Sequence, residues 1–112
     1  MHLKFDQTDG GVVCHVMGNL ENLTVGEFRE DMAQVHDGTR VIFDMSAVPF
    51  VDSAGLGALI GAIRRIRELN GEAVVCAVRP SVGRVLDLVG LNRIVAVVGN
   101  LREAEAHFLS AA

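Results

Sequence analysis

Along this chain the spacing of apolar positions changes several times, and each change marks an element. Leu3 to Phe5 and Val12 to Met17 read as two strands, with Asp9-Gly10-Gly11 between them as hairpin punctuation. Gly18 ends the second strand, and Asn19 to Leu23 form a polar loop. Thr24, with Glu27 three residues on, has the spacing of a capping box. Val25, Phe28, Met32 and Val35 then recur at helical intervals until Gly38 stops the run.

Val41, Ile42 and Phe43 are uninterrupted, as in a strand covered on both faces. After a loop containing Pro49 the period becomes helical. Leu56, Leu59, Ile60, Ile63 and Ile66 form one stripe, and Arg64, Arg65, Arg67 and Glu68 fall mostly off it. Asn70-Gly71 closes that helix, and Ala73 to Val78 is a further doubly covered strand. Pro80 opens a short helix whose expected buried face is Val82, Val85, Leu86 and Val89, with Gly90 at its end. Ile94 to Val98 is a last strand and Leu101 to Leu109 a last helix. Strands alternating with helices after an initial β-hairpin predict an α/β fold, a mixed, mostly parallel sheet with about four helices.

Composition narrows the functional classes. The chain has 112 residues, half of them hydrophobic and 21% charged, which fits one small globular domain and excludes disorder. Its longest apolar stretch, Ala54 to Ile63, is broken by glycines and ends in Arg64-Arg65, too short to span a bilayer. The start, MHLKFDQTDG, lacks the pattern of a secretory signal, so the cytoplasm is the expected location. A formal net charge of −4, with neither Trp nor Tyr, argues against nucleic acid and for a protein partner. Cys14 and Cys76 lie in apolar runs without metal-ligand spacing, and the four histidines are scattered singly. No metal or cofactor is expected.

The chemistry concentrates at Asp52-Ser53, where a buried strand delivers its loop to the first turn of a helix. Backbone N–H groups there lack intrahelical partners, and the helix dipole favours negative charge. Either residue serves as an N-cap. A cap does not explain Gly55 and Gly57, each of which costs up to ~1 kcal/mol in a helix relative to alanine. Something approaches the backbone closely, a partner or the sheet beneath. Catalytic readings fail on detail. Gly55, Gly57 and Gly61 miss the GxGxxG spacing by one position, and no GK[ST] exists. A nucleophile elbow at Ser53, with Asp87 and His107 following, lacks the glycine required two positions before the serine.

Two blocks, VIFDMSAVPFVDSAGLGALIGAIRRIRELNGE and VVCAVRPSVGRVLDLVGLNRI, together with the spacing between them, resemble the anti-sigma-factor antagonists built on the sulfate-transporter and anti-sigma-antagonist (STAS) domain. The resemblance covers nearly the whole chain and implies a STAS-like single domain over residues 1–112. Asp52 to Gly57, DSAGLG, corresponds to the family's phosphoacceptor signature. By that resemblance Ser53 is phosphorylated by a cognate anti-sigma factor that is itself a serine kinase. The unphosphorylated form binds that kinase and frees a sigma factor, and a serine phosphatase resets the switch. The implied docking surface comprises Asp52, Ala54, Gly55, Leu56 and Gly57 with Glu21, Asn22 and Thr24. Leu56 is expected as an exposed apolar anchor, whereas Ala58 to Ala62 are expected to serve packing. Gly18-Asn19-Leu20-Glu21 departs from the family's usual Gly-x-Leu-Asp by one methylene on the carboxylate, followed by Asn22 and Leu23 where more polar residues are usual. A monomer or weak dimer without enzymatic activity is expected. The alternative is a STAS scaffold subunit of a stress-signalling or lipid-transport complex with no phospho-switch.

Overall fold

The computed structural model describes residues 1–8 and 10–110, so Asp9 of the expected turn lies outside the described residues. Five strands form one sheet in the order β1-β2-β3-β4-β5: β1 His2–Thr8, β2 Gly11–Met17, β3 Arg40–Ala47, β4 Glu72–Cys76 and β5 Ala96–Val98. Strands β1 and β2 pair antiparallel, with Thr8 opposite Gly11, and every later pairing is parallel. The connecting helices are α1 Val25–Met32, α2 Ser53–Glu68 and α3 Pro80–Leu88, with α4 Leu101–Ser110 after the last strand.

Each parallel connection steps one strand in the same direction. Right-handed crossovers therefore deliver α1, α2 and α3 to one face. Strand parity divides the core accordingly. Cys14, Val16, Val41, Phe43, Met45, Ala73 and Val75 join Phe28, Leu59, Ile63, Ile66, Val82 and Leu86 in the larger cluster. Val13, Ile42, Val74 and Cys76 face the other way, against Ala104 and Phe108 of α4. The uninterrupted apolar run of the central strand follows from this double cover, since Val41, Ile42 and Phe43 are all fully buried.

Local departures from the expected pattern have identifiable causes. Helix α1 ends at Met32 rather than Val35, because Gln34 and Val35 donate three residues back, to Asp31 and Met32, and tighten the chain into turns. Thr24 precedes α1, but its side chain caps nothing. Its hydroxyl accepts from the Glu21 N–H at 3.0 Å and donates to the Asn19 carbonyl, so the capping box with Glu27 does not form. Val89, expected in the buried face of α3, is 48% exposed, because the chain reverses immediately after it at Gly90, φ +70°. The last strand begins at Ala96, since Leu91–Arg93 take a 3-10 turn onto which Ile94 and Val95 close. At the end of α2 the Asn70-Gly71 stop is a Schellman motif. Asn70 sits at φ +63°, Gly71 donates to Ile66 at 2.8 Å and Asn70 to Arg67 at 3.0 Å.

Helix α4 holds the second face through few side chains, chiefly Phe108, with the Arg40 guanidinium 5.9 Å from its ring centroid. Phe108→Ala is expected to cost about 3–5 kcal/mol in urea unfolding. A cost under about 1 kcal/mol would mean that α4 is peripheral to the fold.

Candidate functional site

Two loops at the carboxyl ends of β2 and β3 are drawn together by backbone groups. Leu20 donates to the Phe50 carbonyl at 3.0 Å, Asp52 donates to the Leu20 carbonyl at 3.3 Å, and Leu20 and Val51 form an isolated parallel bridge. Asp52 completes the junction with its side chain. As N-cap of α2 it accepts from the Gly55 N–H at 2.8 Å through Oδ1, and Oδ2 accepts from the Asn22 N–H at 3.0 Å. One carboxylate thus satisfies an orphan donor of the helix and a donor of the opposite loop. These two hydrogen bonds, Gly55 first and then Asn22, hold the Asp52 carboxyl below the ordinary 3.8.

The glycines divide differently from the sequence reading. Gly55 is buried, and a Cβ built there would lie 1.8 Å from the Leu20 carbonyl oxygen, a backbone atom that cannot step aside. Its role is to let α2 approach the β2–α1 loop. Gly57 and Gly61 meet nothing within 4 Å and are exposed, whereas Ala58 and Ala62 are buried. Packing therefore explains Ala58 and Ala62 but not Gly61. Leu56, expected as an exposed anchor, is 9% exposed and belongs to the core, because its place in the helical stripe turns it toward the sheet.

Ser53 is the first residue of α2 and is exposed, and its hydroxyl has no hydrogen-bond partner among the described residues. Ala54 is partly buried, as are Glu21 and Thr24, while Asn22 is exposed. The exposed apolar side chains at this junction are Leu23, 85% exposed, on one loop and Phe50, 49% exposed, on the other. In the sequence Leu23 stands out only as an apolar residue where the family is usually more polar, and Phe50 not at all, because periodicity says nothing about loops. The useful signal is a large apolar residue in a stretch with no apolar period. The elbow reading is not assembled: α4, which carries His107, packs on the opposite face of the sheet from α2, and Asp87 is exposed near the end of α3.

A second polar group lies on the α4 face, beyond the cover of that helix. His15 Nδ1 is 2.6 Å from Asp44 Oδ2 and its Nε2 is 3.1 Å from Asp6 Oδ2, so this histidine is bracketed rather than solitary. Burial opposes ionisation of Asp44, but the Ser46 N–H and His15 outweigh it and lower its pKa below the ordinary value. Cys14 and Cys76 are buried free thiols, each pushed up to about 12 chiefly by that burial. Among the described residues no three His, Cys, Asp or Glu side chains converge as a metal site.

The STAS domain family model matches residues 2–104. The anti-sigma-B factor antagonist of Staphylococcus aureus is 31% identical over 101 residues, covering 87% of this chain and 94% of that protein. The crystal structure of an anti-sigma factor antagonist from Mycobacterium paratuberculosis superposes with a TM-score of 0.86 at 25% identity, covering 96% of this chain and 92% of that one. At the level of the fold alone, the Bacillus cell fate determinant SpoIIAA in its phosphorylated form matches with a TM-score of 0.70 at 19% identity, covering 96% and 99%.

Two expectations follow from this geometry. Gly55→Ala must displace backbone and is expected to lower stability by several kcal/mol. Gly57→Ala fills open space on a helix and should raise it by up to about 1 kcal/mol, both read from urea midpoints. Because the carboxyls of Asp52 and Asp44 titrate lower folded than unfolded, the stability they contribute is complete above the unfolded value, and it is lost as pH falls through the folded values. Acid titration of unfolding should show that loss below about pH 4, and Asp52→Ala should flatten it.

Proposed function

The chain belongs to the STAS domain family, and from that premise we propose that it is an anti-sigma-factor antagonist switched by phosphorylation of Ser53. Unmodified, it docks an anti-sigma factor that is also a serine kinase, and so frees a sigma factor. Phosphorylated, it releases the kinase, and a serine phosphatase restores the first state. It is a binding regulator rather than an enzyme and works in the cytoplasm. No helix among the described residues is long and apolar enough to cross a membrane, which is compatible with that setting.

The observation that carries this reading is an exposed hydroxyl at the first residue of α2, on a backbone that Asp52 clamps to the neighbouring loop. The kinase needs reach, and the switch needs a surface that does not yield. The proposed docking surface is Ser53 with Asp52, Ala54, Gly57, Glu21 and Asn22. Leu23 and Phe50 supply the apolar contact first assigned to Leu56. Gly55 acts from behind by letting α2 close on the β2–α1 loop, and Thr24 by bracing that loop internally through Asn19 and Glu21.

Magnitudes set the logic. A phosphate adds about −1.5 to −2 charge, and at a helix N-terminus an anion gains only about 0.3–1 kcal/mol, so the fold should hardly respond. The same charge pressed into an interface beside Asp52 costs several kcal/mol through desolvation and repulsion, at tenfold in affinity per ~1.4 kcal/mol.

Incubation with the cognate kinase and ATP should therefore add one phosphate mass, localised to Ser53. Ser53→Ala should bind the kinase and take no phosphate. Ser53→Asp should bind at least about tenfold more weakly, with its melting temperature within about 4 °C of the parent. Equal kinase binding by phosphorylated and unmodified protein would leave the scaffold function as the reading.

A further inference from the structure

Strand β1 is one edge of the sheet, with seven residues whose outer backbone groups meet no other strand among the described residues. Lys4, Phe5, Asp6 and Gln7 are all exposed, and Phe5 is 40% exposed although it lies opposite the fully buried Cys14. Phe5 also borders a hollow that it shares with Val12, Val35 and Val41 on the helix-covered side. An edge of this length with an unsheltered aromatic is a site where another strand can add. The opposite edge, β5, has only three residues.

We propose that the occupant is a second copy of this chain, joined antiparallel along β1 about a two-fold axis at Phe5, to make one continuous ten-stranded sheet. The charge order along β1 carries the assignment. With the axis at Phe5, Lys4 of each copy stands opposite Asp6 of the other, twice over, and both pairs lie on one face. On the other face the two Phe5 rings meet, and Leu3 stands opposite Gln7. Directly opposed residues on such a pair are about 4.5–5.5 Å apart at Cβ, close enough for the ion pairs and the aromatic contact to count.

Other registers are penalised. An axis at Lys4 puts lysine against lysine, and an axis at Asp6 puts aspartate against aspartate. A half-step shift sets Lys4 opposite Phe5 and turns the partner's helix-covered face to the wrong side. Lysine on an edge strand ordinarily repels a second copy, and here that protection is cancelled in one register only. Pairing of β1 with a partner's β5 would be head-to-tail and would leave one β1 and one β5 edge still open after two copies, whereas the β1 pair is complete with two. This assembly is independent of Ser53.

The test is sedimentation equilibrium of the full chain and its charge variants at concentrations up to about 1 mM, with circular dichroism melts to establish that each variant is folded. The parent is expected to dimerise reversibly. Lys4→Asp alone and Asp6→Lys alone each make both opposed pairs like-charged and should weaken the dimer by about tenfold or more. The double variant K4D/D6K restores opposite charges in the same register and should recover the dimer. An equimolar mixture of the two single variants should form a heterodimer where neither pairs with itself. A parent that stays monomeric at the highest concentration would overturn the proposal. So would a dimer indifferent to either single change, or single variants that weaken it without rescue by the swap or the mixture.

Discussion

The candidate site depends on one close approach, the backbone of α2 at Gly55 lying against the Leu20 carbonyl, with no room for a Cβ between them. Everything at the carboxyl end of the sheet is positioned through it. The approach brings Asp52 within reach of the Asn22 N–H, turns that carboxylate into a tie between two loops, and leaves Ser53 projecting from the first turn. The tie is polar and partly exposed, so it orients more than it stabilises. Most stability resides in the apolar clusters on the two faces of β3 and β4, where hydrophobic burial contributes about 25 cal/mol per Å² removed from water.

Separation of those tasks means that a domain this small could carry the proposed change of surface charge without repacking. The large buried side chains, among them Phe28, Phe43, Ile42, Leu59 and Ile63, belong to strand interiors and helix stripes. The β2–α1 and β3–α2 loops contribute Leu20, Val48 and Val51 to the core and otherwise face outward. A charge added at Ser53 lies outside the packed layers, and core density does not have to respond to it.

Much of the fold was legible because strands and helices have distinct periods. Val41-Ile42-Phe43 and the stripe from Leu56 to Ile66 each admitted one reading, and the order of elements followed. What escaped lay where chemistry rather than period decides. Thr24 looked like a cap, yet its hydroxyl turned back to Asn19 and Glu21, since a short side chain takes whichever backbone partner is nearest. Gly55 and Gly57 looked alike, and only the path of the neighbouring loop distinguishes a glycine required by contact from one in open space. Leu56 belonged to its stripe after all, and the exposed apolar groups were Leu23 and Phe50, on loops where no hydrophobic period announces them and only the comparison with the family's usual polar residues marks Leu23. His15 seemed solitary because Asp44 is 29 residues away in sequence and meets it only through the register of β2 on β3.

Rigidity at the site is what would allow a modest charge to act as the proposed switch. Were Ser53 on a free loop, an added phosphate could swing into water when a partner arrived, and the penalty would fall to the small entropy of that displacement. On the first turn of α2 its backbone is fixed by the helix behind it and by Asp52 in front, whose two oxygens are both engaged. A phosphate attached there moves only through its own side-chain torsions. It must either be desolvated or hold the partner off. In the proposed switch the clamp would convert a local change of charge into a change of affinity, and on that reading Asp52 matters to the mechanism as much as the Ser53 hydroxyl itself.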